Sequence, residues 1–224
     1  MPEQVSSGLS IGEAIVTNLL EAVRSQIPDL HGQSWEEFTS TIRAHAATLA
    51  QQNAARVIDN PSQQWLMVSS LLLATYRELQ PVVGDVQEIL AILRSAMAAP
   101  IQARIITHLE ERFGISQDAP ADAFPLIAEN FKRRGEERFG KAFTYVQDVQ
   151  DGMRSFINIE KCFFNDFFRA NGAPEVTPIF CAMDYLWSEE LEQPHYGVRF
   201  DRPTTLAQGD DRCRFQFTKS ASQR

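Results

Sequence analysis

Residues 141–159, KAFTYVQDVQDGMRSFINI, decide the fold class. Apolar and polar side chains alternate on both sides of Asp151-Gly152, a dipeptide that readily supplies the positive φ angles of a tight turn, so the stretch predicts a β-hairpin. Everything before it reads as helix. The chain is therefore predicted to be α+β, with an N-terminal helical bundle followed by a small antiparallel sheet packed with two or more helices.

Upstream of the hairpin, helix starts are written in capping residues. Ser10 with Glu13, Ser34 with Glu37 and Asp85 with Glu88 each have the spacing of a capping box, and the residues after them repeat at helical intervals. The first helix stops near Pro28, and the second runs long, towards Asn60-Pro61. Trp65 to Tyr76 is apolar on all sides and reads as a buried central helix broken at Pro81, because proline lacks the donor a helix needs. A helix from Asp85 to Ala99 and another from Ile101 to Phe113, closed by Gly114, complete the helical region 1–114. Residues 115–140 read as a linker, with Pro120 and Pro125, and a short helix from Ala128 to Glu137 that ends near Gly140.

Downstream, residues 141–219 form a second unit, and 220–224 a tail. A helix from about Asn158 to Asn171 carries Phe163, Phe164, Phe167 and Phe168, and a second runs from about Pro178 to Leu191. Strands are predicted over Tyr196–Phe200 and Asp211–Thr218, the latter with Cys213, Phe215 and Phe217 on one face.

Composition narrows the function classes. A net charge of −8 with scattered Lys and Arg does not suit a protein that grips nucleic acid through its phosphates. The one dense basic run, Lys132-Arg133-Arg134, is bracketed by Glu129, Glu136 and Glu137 and reads as a solvated helix face. No stretch reaches the roughly 18 unbroken apolar residues of a membrane helix, and no signal-like segment opens the chain, so a cytoplasmic protein with no membrane partner is expected. Three cysteines are poor material for a disulfide framework and are expected to be reduced. A homodimer is an expectation from the apolar Trp65–Tyr76 segment alone.

The sharpest local chemistry lies around Cys181. With Thr177 as cap and Pro178 in the first helical position, Cys181 falls in the first turn, where the helix dipole favours a thiolate, and Asp184 shares its face three residues on. The carboxylate opposes that thiolate; its better role is to accept a proton, orient water or bind a cationic amidine. Cys162 begins the preceding helix and could face Cys181 across a cleft, while Cys213 points inward from the last strand. Each of the three also reads as a small buried hydrophobe. His195 is the one histidine near them, placed by alternation on a strand face with Arg199; His31, His45 and His108 read as ordinary loop or helix residues. With 18 and 31 residues between successive cysteines, no compact zinc motif is present, and no metal or cofactor is expected.

The run Cys162-Phe-Phe…Phe167-Phe168…Gly172-Ala-Pro-Glu175…Ile179-Phe180-Cys181…Asp184, followed by Arg202…Thr205-Leu206-Ala207…Gly209…Cys213-Arg-Phe215, resembles the L-2-amino-thiazoline-4-carboxylic acid hydrolase family over about residues 140–219. The resemblance implies a hydrolase acting on C–N bonds, or a C–S bond, of a small heterocyclic substrate whose amidine or thioimidate carbon is hydrolysed, or the reverse cyclisation, in specialised or amino-acid metabolism. It implies Cys162, Cys181 and Asp184 as catalytic residues, with Cys213 in the same site and Arg202 and Thr205 on a substrate carboxylate. For Arg202 the competing reading is an ion pair with Asp201 or Asp211. Two other readings stand beside the enzyme: a non-catalytic small-molecule-binding module resembling vinyl-reductase-type sensor domains, and a dimerisation protein that works through its helical half.

Overall fold

The computed structural model describes residues 11–27, 30, 32–116 and 123–220. Its helices start where capping chemistry places them. Ser34 and Glu37 form a full capping box ahead of α2 (Trp35–Gln52), and the Asp85 carboxylate accepts from Glu88 N to start α4 (Val86–Gln102). α1 spans Ile11–Gln26, but its Ser10 cap, Pro28, His31 and residues 117–122 of the linker lie outside the described residues. The second helix ends earlier than periodicity suggests. Asn53 closes it, a short 3-10 turn follows over Ala54–Arg56, and Asp59 starts α3 (Asn60–Val83) afresh by accepting from Ser62 N.

α3 passes through Pro81 and stops at Gly84, whose φ of 78° ends the helix. Pro81 sits in the last turn, where one missing N–H is lost from the end of the ladder, so it does not break the helix. α5 (Ile105–Phe113) ends on left-handed Gly114, and α6 (Phe124–Phe139) is longer than the predicted short helix, with Pro125 in its first turn where proline is tolerated. α3 is the central element. It lies against α1, α2 and α4, and Leu72, Leu73, Ala74 and Leu79 are wholly buried. The apolar segment behind the dimer expectation thus packs within the chain.

β1 (Thr144–Gln150) and β2 (Arg154–Lys161) make the predicted hairpin, but the turn is built differently. Gly152 does not adopt positive φ; Asp151 Oδ1 instead accepts from the amides of Met153 and Arg154, each at 2.8 Å. β4 (Cys213–Lys219) pairs with β2, and β3 (Val198–Asp201) with β4, giving an antiparallel sheet in the order β1-β2-β4-β3. β2 continues to Lys161, where it pairs with Thr144 of β1, so α7 (Phe163–Ala170) starts later than the aromatic stripe alone implies. α8 (Thr177–Leu191) follows a 3-10 turn at Pro174–Val176.

The helices cover one face of the sheet, as the α+β reading expects, and one apolar core runs from Leu19 to Phe217. Polar ties hold the α7–α8 connection to the helical half: Tyr76 donates to Glu175 at 2.7 Å, and Arg77 donates to the Asn171 carbonyl at 2.7 Å. The Lys132–Arg134 run is an ordinary helix face, with Lys132–Glu136 and Arg133–Glu137 pairs one turn apart. Among the described residues, no single helix is long and apolar enough to cross a membrane.

Candidate functional site

Strand register builds the floor of the site. Tyr145, Ile159 and Cys213 stand opposite one another across β1, β2 and β4, and alternation puts Phe215 beside them on the same buried face. Helices close the walls. α8 contributes Cys181 and Asp184, α7 contributes Phe164 behind its cap residue Cys162, and α5 contributes His108 and Arg112. Between them lies a cavity of about 140 Å³, lined mainly by apolar and aromatic groups. That is close to the roughly 150 Å³ of an engineered protein cavity that takes up benzene, so it suits one small ring. Phe164 and Phe180 stack across the α7–α8 side at 3.8 Å.

All three cysteines reach this cavity as free thiols, Cys213 buried and the other two half-buried. Their environment is not the thiolate-favouring helix start expected from sequence. Val176 precedes the first residue of α8, so Thr177 is helical rather than a cap, its hydroxyl has no partner, and Cys181 falls beyond the first turn. Burial pushes the Cys181 thiol up to about 12; Arg202 opposes the rise and Asp184 adds to it. Burial likewise raises Cys162 and Cys213, the latter against an opposing N–H from Leu206 at 3.3 Å. Resting thiols here keep their protons.

Asp184 is the only carboxylate among the described residues that line the cavity. Arg202 donates to its Oδ2 at 2.9 Å, Trp187 Nε1 to its Oδ1 at 3.1 Å, and Arg112 reaches Oδ1 at 3.5 Å. The second Arg202 nitrogen donates to the Cys181 carbonyl at 3.0 Å, and the guanidinium lies 4.5 Å from the Tyr185 ring centroid. Burial lowers the Arg202 pKa, but Asp184 and Cys181 more than offset it, so Arg202 stays a cation. Its partner is Asp184, not Asp201 or Asp211.

Two sequence candidates stand elsewhere. His195 is exposed in a 3-10 turn (Pro194–Tyr196) ahead of β3, its ring tilted against Tyr196 with centroids 3.9 Å apart, because the strand begins only at Val198. Thr205 is buried outside the cavity lining, and its hydroxyl accepts from Gln208 N to start the next turn while Asp210 braces its amide at 2.9 Å. With Gly209 at a φ of 94°, these residues shape the loop that delivers Arg202 and Cys213. Sequence reading missed Arg112, Arg138, Tyr145 and Trp187 as lining groups and took His108 for an ordinary residue. Arg112 carried a signal: it is a charge on the buried side of α5, between Leu109 and Phe113. No cluster of metal-ligating side chains occurs among the described residues.

A family model described as L-2-amino-thiazoline-4-carboxylic acid hydrolase matches residues 64–217, most of the chain. The match begins in α3, well before the residue 140 at which the motif resemblance starts, so the helices that wall the cavity fall within it. No curated protein and no solved structure matches the chain.

Proposed function

Because the chain belongs to the L-2-amino-thiazoline-4-carboxylic acid hydrolase family, we propose that its cavity opens a small cyclic amidine or thioimidate by adding water at the carbon between nitrogen and sulfur. One observation carries this reading: Cys162, Cys181, Cys213 and the Asp184–Arg202 pair, scattered in sequence, line one ring-sized apolar cavity. The same site could run the reaction backwards as a cyclase.

Protonated thiols suit this chemistry if the substrate takes the proton. An amidine nitrogen is basic. The Cys181 proton passes to the ring nitrogen as the sulfur bonds to the amidine carbon, so nucleophile and electrophile are activated together. The ring C–S bond then breaks, the departing sulfur takes a proton from the protonated amidine nitrogens and leaves as a thiol, and an S-linked isothiourea remains on the protein. Water, oriented and deprotonated by Asp184, displaces the Cys181 sulfur, which takes that proton back from Asp184 and returns to the thiol, leaving a urea with a free thiol. Arg202 holds the Asp184 carboxyl in place through its 2.9 Å contact.

A non-catalytic binding module is favoured by one feature, namely that every thiol in the cavity is held protonated and Asp184 is already paired. Incubation with L-2-amino-thiazoline-4-carboxylate separates the two, read by mass spectrometry of substrate, product and intact protein. Enzyme action consumes substrate, and Asp184→Asn accumulates a covalent adduct on Cys181. Saturable binding with no product after prolonged incubation would establish the binding module instead.

A further inference from the structure

Two charged side chains in the cavity, Arg112 and Arg138, have no role in the chemistry above. Arg112, on α5, is 6% exposed, and its Nε has no hydrogen-bond partner among the described residues. Its one ion-pair partner among them is the far oxygen of Asp184 at 3.5 Å, a carboxylate already held more closely by Arg202 and Trp187. Aromatic rings enclose the guanidinium, with Phe131 and Trp187 centroids 5.1 and 5.2 Å away. Those faces soften the loss of water but offer no counter-charge.

The charges at this end of the cavity do not balance. Arg112, Arg138 and Arg202 line it against Asp184 alone, and the surface partner of Arg138, Glu111, stands 3.9 Å away. His108, one turn before Arg112, is pushed down to about 3 by burial and then by Arg112 and Arg138, as expected where the potential is positive. Arg202 already gives both terminal nitrogens to Asp184 and the Cys181 carbonyl, so it has less than Arg112 to offer an incoming acid.

We infer that Arg112 is the residue that selects an acidic substrate, its guanidinium donating to the carboxylate of a small heterocyclic acid while the ring lies over Cys181. The inference rests on the hydrolase reading for the orientation of the ring, but not for the anion itself. A guanidinium is a planar fork that can give a carboxylate two parallel donors, and in a site screened from water such a contact is charge-assisted on both sides. Arg138 adds a second cation beside it.

Calorimetric titration of the whole protein with L-thiazolidine-4-carboxylate and its neutral carboxamide tests this without requiring turnover. Wild-type protein is expected to bind the acid roughly 10- to 100-fold more tightly than the carboxamide, the range of one charge-assisted contact. Arg112→Met, which keeps an apolar stem among the rings, should erase that preference and leave carboxamide binding unchanged. Arg112→Lys keeps the charge without the fork; it guards against a Met variant that does not fold, and should lose most of the preference. Equal binding of acid and amide by wild-type protein, absence of acid binding, or an acid preference that survives in folded Arg112 variants would each overturn the assignment. Turnover of the thiazoline acid is scored separately: Arg112-dependent binding without product sinks the hydrolase reading alone, and product with Arg112-independent binding sinks this inference alone.

Discussion

At the scale of single residues, Asp184 balances buried cations on both sides. Its side chain is 22% exposed, whereas those of Arg202 and Arg112 are 2% and 7% exposed. Asp184→Asn should therefore lower stability by about 3 kcal/mol, at the low end for breaking a buried pair because the acid keeps some water, and urea unfolding measures it. A double variant, Asp184→Asn with Arg202→Met, should recover part of that loss while remaining inactive. Cys181 makes a pH prediction with a definite sign. Its unfolded thiol ionises near the ordinary 9.0, while the folded one holds its proton to about 12, so the unfolded chain carries fewer protons between those values. The folded state must lose stability as pH rises through that window, and Cys181→Ala should flatten the decline. Iodoacetamide labelling of Cys181 should likewise keep accelerating past pH 9, where an ordinary thiol levels off.

At the scale of elements, α6 and β1 meet at a glycine. A Cβ on Gly135 would lie 2.9 Å from two ring carbons of Tyr145, whose ring is part of the cavity wall. Alanine favours the helix by about 1 kcal/mol, but the overpacking penalty is about 1–3 kcal/mol, so Gly135→Ala should be neutral to destabilising. Its clearer signature is a shifted Tyr145 and at least a several-fold weaker ligand affinity. Much of this element layer was legible in the sequence because it is local chemistry. The Ser34–Glu37 box, the Asp85 cap, the hairpin around Asp151 and the inward Cys213, Phe215 and Phe217 all follow from spacing. What was not legible depends on partners far along the chain. β2 outlasts its predicted end because Thr144 of β1 pairs with Lys161, and the start of α8 slips by one residue behind the Pro174–Val176 turn. That one-residue slip moved Cys181 out of the first turn, and burial by partners distant in the chain, which spacing does not show, turned the expected direction of its pKa around.

At the scale of the whole molecule, the site exists only where helical and sheet halves meet. Tyr145, Ile159 and Cys213 come from the sheet, whereas Trp65, Met97 and Arg112 come from helices far upstream. Motif reading found the cysteines, Asp184 and Arg202 because they lie within the family pattern. It could not find Arg112, whose meaning comes from Asp184, 72 positions away. The continuous core from Leu19 to Phe217 predicts one cooperative thermal transition, seen alike by far-UV and near-UV circular dichroism. Residues 141–219 expressed alone, without the helices covering Phe215 and Trp187, should lack an ordered near-UV signal. The most direct test of the shared cavity is a thiol footprint by peptide mass spectrometry at pH 9, with and without saturating L-thiazolidine-4-carboxylate. The account predicts that labelling of Cys162, Cys181 and Cys213 is suppressed together, with one half-saturation concentration. Protection of none of them, or of each at a different ligand concentration, would contradict it.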